Sequence, residues 1–202
     1  MALVYILDTD THLVGFTMFP SALEDRFSLG GEWKVESVVQ LKRIGDSYPI
    51  GFSNGHTMRN SGTCAKMKYV DQTTTEKSGI YTISTRMQSS ELQSVHSIAF
   101  RANDKSITVW TEIENIGNQD ERLEMLSSFS VCSLFGFLSQ ERTGDFTLHR
   151  LRSKWSEEGR LESQNFLELQ MEPSWQKYGA QSIRYGQVGS MPVRRYFPWF
   201  AI

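Results

Sequence analysis

The stretch ITVWTEIENIGNQDERLEMLSSFSV, residues 107–131, alternates apolar and polar side chains on both sides of a single turn. Residues 107–113 follow this alternation, and it resumes over 123–131. An alternation of period two is typical of half-buried strands. The segment between them, 115–120, is rich in Asn, Gly and Asp, which tolerate the left-handed backbone of turns. The stretch therefore predicts two consecutive antiparallel strands.

The same alternation predicts further strands along the chain, over 3–7, 13–19, 33–41, 65–70, 80–87 and 95–101. The best helical candidate is 156–170, although Gly159 and an irregular apolar spacing weaken it. Many strands joined by short turns favour an antiparallel sheet, because parallel strands need long crossover connections. We therefore predict an all-β fold, a large antiparallel β-sandwich with little helix, built from residues 1–202 as a single domain.

Composition excludes several functional classes. The 202 residues carry a formal net charge of -2, which provides no basic field for nucleic acid and no polybasic patch for a membrane surface. The start, MALVYILDTDTH, has no basic region ahead of its apolar residues, unlike a secretory signal. Cys64 and Cys132 are isolated thiols without a CxxC pattern. These features predict a cytoplasmic protein that binds neither nucleic acid nor membrane.

Two groups of polar residues raise the question of catalysis or metal binding. Asp8, Asp10 and His12 would share one face of an extended strand, which makes a metal site conceivable, but a polar hairpin turn is the favoured interpretation. Glu157, Glu158 and Glu162 lie in a Gly-interrupted segment and do not form the rigid carboxylate pair of a glycosidase. No HExxH or GxSxG motif accompanies the four histidines. The residues therefore predict no catalytic site, metal or cofactor.

Three segments combine aromatic rings with charged or amide side chains: 45–61, 148–160 and 182–202. Loops that keep such residues are often binding or interface loops. An aromatic ring can pack on the apolar face of a sugar while forked donors and acceptors satisfy its hydroxyls. Trp and Arg are also enriched at protein–protein interfaces. Residue types alone leave sugar contact and protein interface equally open.

These segments resemble the N-terminal domain of glycoside hydrolase family 36, the α-galactosidases. LHRLRSKWSEEGRLESQNFLELQMEPSW, residues 148–175, resembles the Leu-His-Arg-Leu…Trp…Glu-x-Arg block of the family, and SIRYGQVGSMPVRRYFPWFAI, residues 182–202, resembles the segment that closes its domain. GDSYPIGFSNGHTMRNS, residues 45–61, resembles an early loop. WTEIENIGNQDERLEMLSSFSVCSL, residues 110–134, resembles the strand–turn–strand core, whose Glu-Asn-x-Gly turn also occurs in galactose-mutarotase-like sandwiches. The sequence at 189–199, GSMPVRRYFPW, departs from Ser-Ser-His-Gln…Asn-Pro-Phe, which many members carry, and suggests a subgroup.

The resemblance implies a β-supersandwich that precedes a catalytic (β/α)₈ barrel. In that family two barrel aspartates act as nucleophile and acid/base, and neither has a counterpart here, so this chain alone is expected to be inactive. The apolar ending 196–202 is then expected to be a closing strand cut at a domain junction. Implied partners are the downstream barrel, further copies of the parent enzyme and α-galactoside sugars, without a cofactor.

The resemblance transfers no catalytic residue, but it suggests residues at a substrate-site rim or an interface. These are Asp46, Phe52, Asn54, Arg59, Asn60 and Trp155. Two alternatives remain open. An autonomous carbohydrate-binding sandwich would use Trp155 or Phe52, and a mutarotase-like epimerase would need catalytic histidines such as His96 or His149.

Overall fold

The computed structural model describes residues 1–28, 35–46, 60–132, 146–153, 155–156, 158–169 and 196–202. The chain divides into two compact units. The first comprises Met1–Pro49 with Met58–Phe137, and the second comprises Ile50–Thr57 with Leu138–Ile202. The expected single domain stays a prediction, and the two units are described separately below.

The described residues form antiparallel strands with only two short 3-10 turns, so the fold is all-β and sandwich-like, as the alternation predicts. The 3-10 turns are Ser21–Arg26 and Cys64–Lys66. The strands are β1 (Ala2–Leu7), β2 (Val14–Phe19), β3 (Leu41–Arg43), β4 (Lys68–Lys77), β5 (Ile80–Gln88), β6 (Leu92–Arg101), β7 (Thr108–Asn115), β8 (Leu123–Leu126), β9 (Thr147–Arg152), β10 (Arg160–Asn165) and β11 (Tyr196–Ala201). None of the described helices is long and apolar enough to span a bilayer.

The first unit is organised around the sheet β4-β5-β6-β7. Directly opposite residues share a face, so the pairing of Ile98 with Val109 places both on the face that forms the core, whereas Ser97 and Trp110 lie together on the opposite face. This face assignment confirms the alternation of 107–113. The core-forming face of the sheet, the β1–β2 hairpin and residues 38–41 together form one buried core. The buried residues of this core are Val14, Phe16, Val38, Val39, Leu41, Cys64, Met67, Met87, Leu92 and Ile98.

Gly15 on β2 allows the closest approach in this core. A methyl group added at its Cα would lie 2.7 Å from Cys132 Sγ and 2.9 Å from a methyl of Val35. Real Cβ atoms do not come that close to other heavy atoms, so any larger residue would force the chain apart. The absence of a side chain at this position lets β2 lie directly against the segment that begins at Val35.

The loop between β1 and β2 is a polar turn, which confirms the interpretation favoured for residues 8–12. The carboxylate of Asp8 accepts hydrogen bonds from the backbone N–H groups of Asp10 and Thr11, at 2.9 and 2.8 Å. His12 has a φ of 54°, in the left-handed region. Asp is frequent in turns because its carboxylate can bond the backbone two residues on.

Three sequence-based element assignments are wrong. Within the described part of the expected strand 33–41, only Leu41 belongs to a strand, at the start of β3, because side chains of Asn60 and Ser127 bond to the backbone of 37–40 in place of a neighbouring strand. β8 ends at Leu126, and the residues after it bond to Gln40 and Val38 as an irregular segment. The helical candidate 156–170 contains β10, which starts after Gly159 with its φ of 73°.

The second unit contains the sheet β10-β9-β11, with β9 in the centre. β9 and β10 form a regular antiparallel hairpin from Arg160 opposite Arg152 to Asn165 opposite Thr147. β11 pairs with the other edge of β9, and its register shifts between Tyr196 and Phe200. The side chains of Trp199 and Phe200 on β11 are exposed.

His96 on β6 is the one ionisable imidazole buried in the described part of the first unit. Its exposed fraction is 0%, neither ring nitrogen has a hydrogen-bond partner among the described residues, and its ring lies 6.2 Å from that of Phe16. Burial lowers the pKa of His96 from 6.5 to about 4. The folded protein therefore keeps this imidazole neutral at pH values where the unfolded chain already protonates it.

This imidazole predicts an acid-sensitive fold. Above pH 6.5 His96 is neutral in both states, and between pH 6.5 and about 4 only the unfolded chain takes up the proton. The free energy of unfolding should therefore fall by about 3 kcal/mol as the pH drops through that window. Urea denaturation of the unmodified chain and of His96→Leu at pH 7, 6, 5 and 4 measures this difference. Parallel pH profiles for the two proteins would contradict it.

Candidate functional site

A polar cleft in the first unit contains Asp46, one of the residues expected at a substrate rim. The cleft has a volume of about 400 Å³. Its lining comes from the turn after β3 and from the loop between β7 and β8, and comprises Arg43, Ile44, Gly45, Asp46, Asp120, Glu121 and Arg122. Three carboxylates and two guanidinium groups line it, which gives both donors and acceptors for a hydroxyl-rich or mixed-charge ligand.

Arg43 joins the two loops of the cleft. Its Nη1 donates to Glu121 Oε1 at 2.8 Å, and its Nε donates to Thr63 Oγ1 at 2.9 Å. The N–H of Ile44 also donates to the carbonyl of Arg122 at 3.0 Å. A guanidinium with two charged or polar partners holds a fixed orientation. Arg43 and Glu121 therefore maintain the shape of the cleft, while the side chains of Asp120 and Arg122 are exposed.

Hydrogen bonds hold the carboxylate of Asp46 in place within the cleft. Its Oδ2 accepts a hydrogen bond from the N–H of Thr63 at 3.0 Å. Partial burial acts to raise the pKa of Asp46, but hydrogen bonds from Thr63 and Ser61 more than offset burial, so the pKa lies below its ordinary value. Asp46 is therefore an ionised acceptor at neutral pH and not a proton donor.

Asn60 lies in a buried network next to this turn instead of at a ligand rim. Its exposed fraction is 9%, and its Oδ1 accepts hydrogen bonds from the N–H of Ser37 at 3.0 Å and from Nε2 of Gln40 at 3.2 Å. The Asn60 N–H donates to Gln40 Oε1 at 2.7 Å, and its Nδ2 donates to the carbonyl of Val35. Its φ of 41° is in the left-handed region, which Asn adopts more readily than most residues. Its amide is thus committed to holding 35–40.

Cys64 also forms hydrogen bonds with the buried segment 37–41. The N–H of Leu41 donates to Cys64 Sγ at 3.2 Å, and Sγ donates to the carbonyl of Val39 at 3.1 Å. Burial raises the pKa of the Cys64 thiol to about 11, so it stays protonated and unreactive at neutral pH. Both Cys64 and Cys132 are free and buried, as the sequence suggests for isolated thiols.

In the second unit, Arg150, Arg152 and Glu162 form one ion cluster. Glu162 Oε2 lies 3.0 Å from Arg150 Nη2, and its Oε1 accepts a hydrogen bond from Arg152 Nη2 at 2.6 Å. Arg150 is buried and also donates to Gln164. The hydrogen bond from Arg152, with the charges of Arg150 and Arg160, lowers the pKa of Glu162. Arg150 and Arg152 of β9 therefore bind Glu162 of β10 across the hairpin.

Trp155 is exposed on the loop that joins β9 and β10. Its exposed fraction is 86%, the largest among the exposed apolar side chains of the described residues. Ser156, beside it, has a φ of 64°, and Gly159 completes the turn. The exposed face of the ring is accessible to a ligand or a partner.

The structure therefore gives the expected rim residues different environments. Asp46 lines a cleft, Asn60 is a buried structural residue and Trp155 is an exposed ring in the other unit. Phe52, Asn54 and Arg59 lie outside the described residues. Sequence reasoning missed Arg43 and Glu121, because their contact joins positions far apart in the chain. No group of three or more possible metal ligands occurs among the residues that the structure describes.

Comparison of the chain with protein-family models, with curated proteins and with solved structures finds no match. A functional proposal for this protein therefore depends on its own residue blocks and contacts.

Mutation can separate the structural role of Asn60 from the role of Asp46, which lines the cleft. Asn60→Ala leaves the N–H of Ser37 and the amide of Gln40 without their buried acceptor. We expect it to lower the free energy of unfolding by about 3 kcal/mol. Asp46→Ala, the control, removes an acceptor that is only partly buried, so water can replace it for the donors of Thr63 and Ser61, and we expect a loss of about 1 kcal/mol. Urea denaturation measures both, and an Asn60→Ala protein as stable as the unmodified chain would contradict the structural role.

Proposed function

We propose that this chain is the non-catalytic N-terminal β domain of a retaining α-galactosidase. In this role it supports a catalytic barrel encoded on the same polypeptide and contributes to assembly of the enzyme. The parent enzyme would hydrolyse terminal α-galactosides. The hypothesis rests on four residue blocks that resemble the family over most of the chain. The all-β antiparallel fold agrees with the sandwich that this resemblance implies.

The observation that carries the proposal is the ion cluster of β9 and β10. The block Leu-His-Arg-Leu…Trp…Glu-x-Arg, residues 148–160, is the most specific part of the resemblance. Its Arg150 contacts Glu162, two residues after the block, and Glu162 also binds Arg152 across the hairpin. Breaking a buried charge pair is costly, because the remaining charge is left without a partner. The role of Arg150 in this cluster is therefore structural, as we expect for a domain that performs no chemistry itself.

The chemistry of the described residues supports a non-catalytic role. Asp46 is an ionised acceptor that holds a turn, and Glu162 is bound by arginines, so neither is poised as a general acid. Retaining glycosidases use two carboxyl groups that face each other across a substrate. In the proposed parent enzyme those groups are the two aspartates of the barrel.

The proposal predicts that the chain is inactive alone and that its polypeptide continues. Residues 1–202 should give no hydrolysis of an aryl α-galactoside above the buffer rate, because the nucleophile and the acid/base are supplied by the barrel. The coding sequence after Ile202 should continue into a (β/α)₈ barrel with two aspartates at strand ends. Activity assays and sequencing of the adjoining gene measure both. Turnover that scales with the concentration of the 202-residue chain, or a stop codon after Ile202, would refute the proposal.

A second candidate function is carbohydrate binding by the chain itself, which the exposed ring of Trp155 favours. An indole ring fixed on a turn can pack on the apolar face of a sugar, and the binding then needs no catalytic partner. Lys154 and Glu157 are the charged residues closest to it in sequence and could satisfy sugar hydroxyls.

This second function predicts that raffinose or galactose binds to the isolated chain through Trp155. Trp155→Ala should weaken that binding about tenfold or more, because it removes the stacking surface. Trp199→Ala is a matched control, since Trp199 is also an exposed tryptophan of the second unit. Isothermal titration calorimetry measures the affinities. An unmodified chain that gives no heat with either sugar, or equal losses in both variants, would exclude this function.

A further inference from the structure

The β4 strand presents an open sheet edge. β5 pairs with one side of β4, and no described strand pairs with its other side. The N–H of Tyr69 donates to the carbonyl of His12, so the β1–β2 loop covers the beginning of this edge. Gln72–Lys77 is exposed throughout. The open part is therefore the segment 71–77, DQTTTEK.

The hairpin geometry determines which backbone groups the open edge presents. Lys77 and Ile80 are opposite each other and close a two-residue turn at Ser78 and Gly79, whose φ values are 55° and 73°. In such a turn the closing residues bond to each other, and bonding alternates along an antiparallel strand. Lys77 therefore bonds toward β5. The N–H and C=O groups of Gln72, Thr74 and Glu76 point toward the open side.

We propose that this edge binds the same edge of a second copy of the chain, with the two β4 strands antiparallel and a two-fold axis at Thr74. Each Thr74 then faces its counterpart as a hydrogen-bonded pair. Gln72 faces the partner's Glu76, again through outward backbone groups, and Thr73 faces the partner's Thr75. The two four-stranded sheets become one continuous sheet of eight strands. Such isologous pairing uses a single surface twice.

The positions of the charged residues favour a second copy of the chain as the partner of this edge, in this register. At the two ends of the paired segment Asp71 faces the partner's Lys77, so opposite charges are directly opposed. Asp71 already forms an ion pair with Arg86 on β5, so its carboxylate would lie between two cations. The Gln72 amide can donate to the partner's Glu76. If the register moves by two residues in either direction, Asp71 and Lys77 no longer face each other, and fewer residues of the two 71–77 segments are paired.

The length of the edge indicates a weak and reversible dimer. A register shift between Tyr69 and Asp71 ends the regular pairing surface, and shifts of this kind commonly limit open edges. A single strand pair buries less surface than a standard stable interface. This proposal is independent of the enzymatic role proposed above, because it depends only on β4 and β5.

Sedimentation equilibrium of the 202-residue chain, from about 1 μM to about 1 mM, tests the dimer in the range where small interfaces associate. Thr74→Pro removes the central outward N–H without removing a bond to β5, and edge positions of this kind tolerate proline. We expect it to raise the dissociation constant about tenfold or more. Thr74→Val, the matched control, keeps the N–H and should associate like the unmodified chain. Circular dichroism verifies that each variant folds.

Charge variants test the register. Lys77→Glu opposes like charges at both ends, and Asp71→Lys does the same with the opposite sign, so each alone should associate about tenfold more weakly. A one-to-one mixture restores both opposed pairs and should recover the dimer. If Asp71→Lys fails to fold, the dissociation constants of Lys77→Glu and Thr74→Pro still test the proposal. A monomer at every concentration, or a dimer that neither variant weakens, overturns the proposal.

Discussion

The first unit depends on how residues 37–40 cross its interior without a regular strand partner before β3 begins at Leu41. Buried backbone N–H and C=O groups must be hydrogen-bonded, and here side chains provide much of that bonding. Asn60 accepts from Ser37, Ser127 Oγ from Gln40 and Cys64 from Leu41. The remaining bonds go to β2 and to the irregular segment after β8. The core can therefore close around 37–41 only when these distant polar residues are in place.

The same constraint explains the character of the Asp46 cleft. Asp46 and Arg43 both bond to Thr63, close to the residues that hold 37–41. The cleft therefore borders a rigid polar network, which is a suitable support for a binding site, although its anchored side chains are unsuited to proton transfer. Asn60 belongs to the support and not to the binding surface, which separates two residues that the sequence had grouped together.

Charged residues have different roles in the two units. In the second unit Glu162 binds two arginines across a hairpin, and one of them, Arg150, belongs to the block that resembles the family. In the first unit the charges at the open edge of β4 have the spacing for self-pairing. The proposed accessory role accommodates both features, because a domain that supports a barrel and assembles with its copies needs stable hairpins and available surfaces more than reactive groups.

The sequence by itself determined the all-β fold, since alternation of apolar and polar residues over 80–87, 95–101 and 107–113 is a local consequence of burying one face of a strand. It also determined the polar turn at 8–12, where Asp8 bonds to its own neighbours. Only the tertiary structure decided that 37–40 is irregular, that β10 is a strand, and that Asn60 is buried while Trp155 is exposed. Those outcomes depend on contacts between residues far apart in the chain, such as Asn60 with Ser37 and Arg152 with Glu162, and no local pattern encodes them.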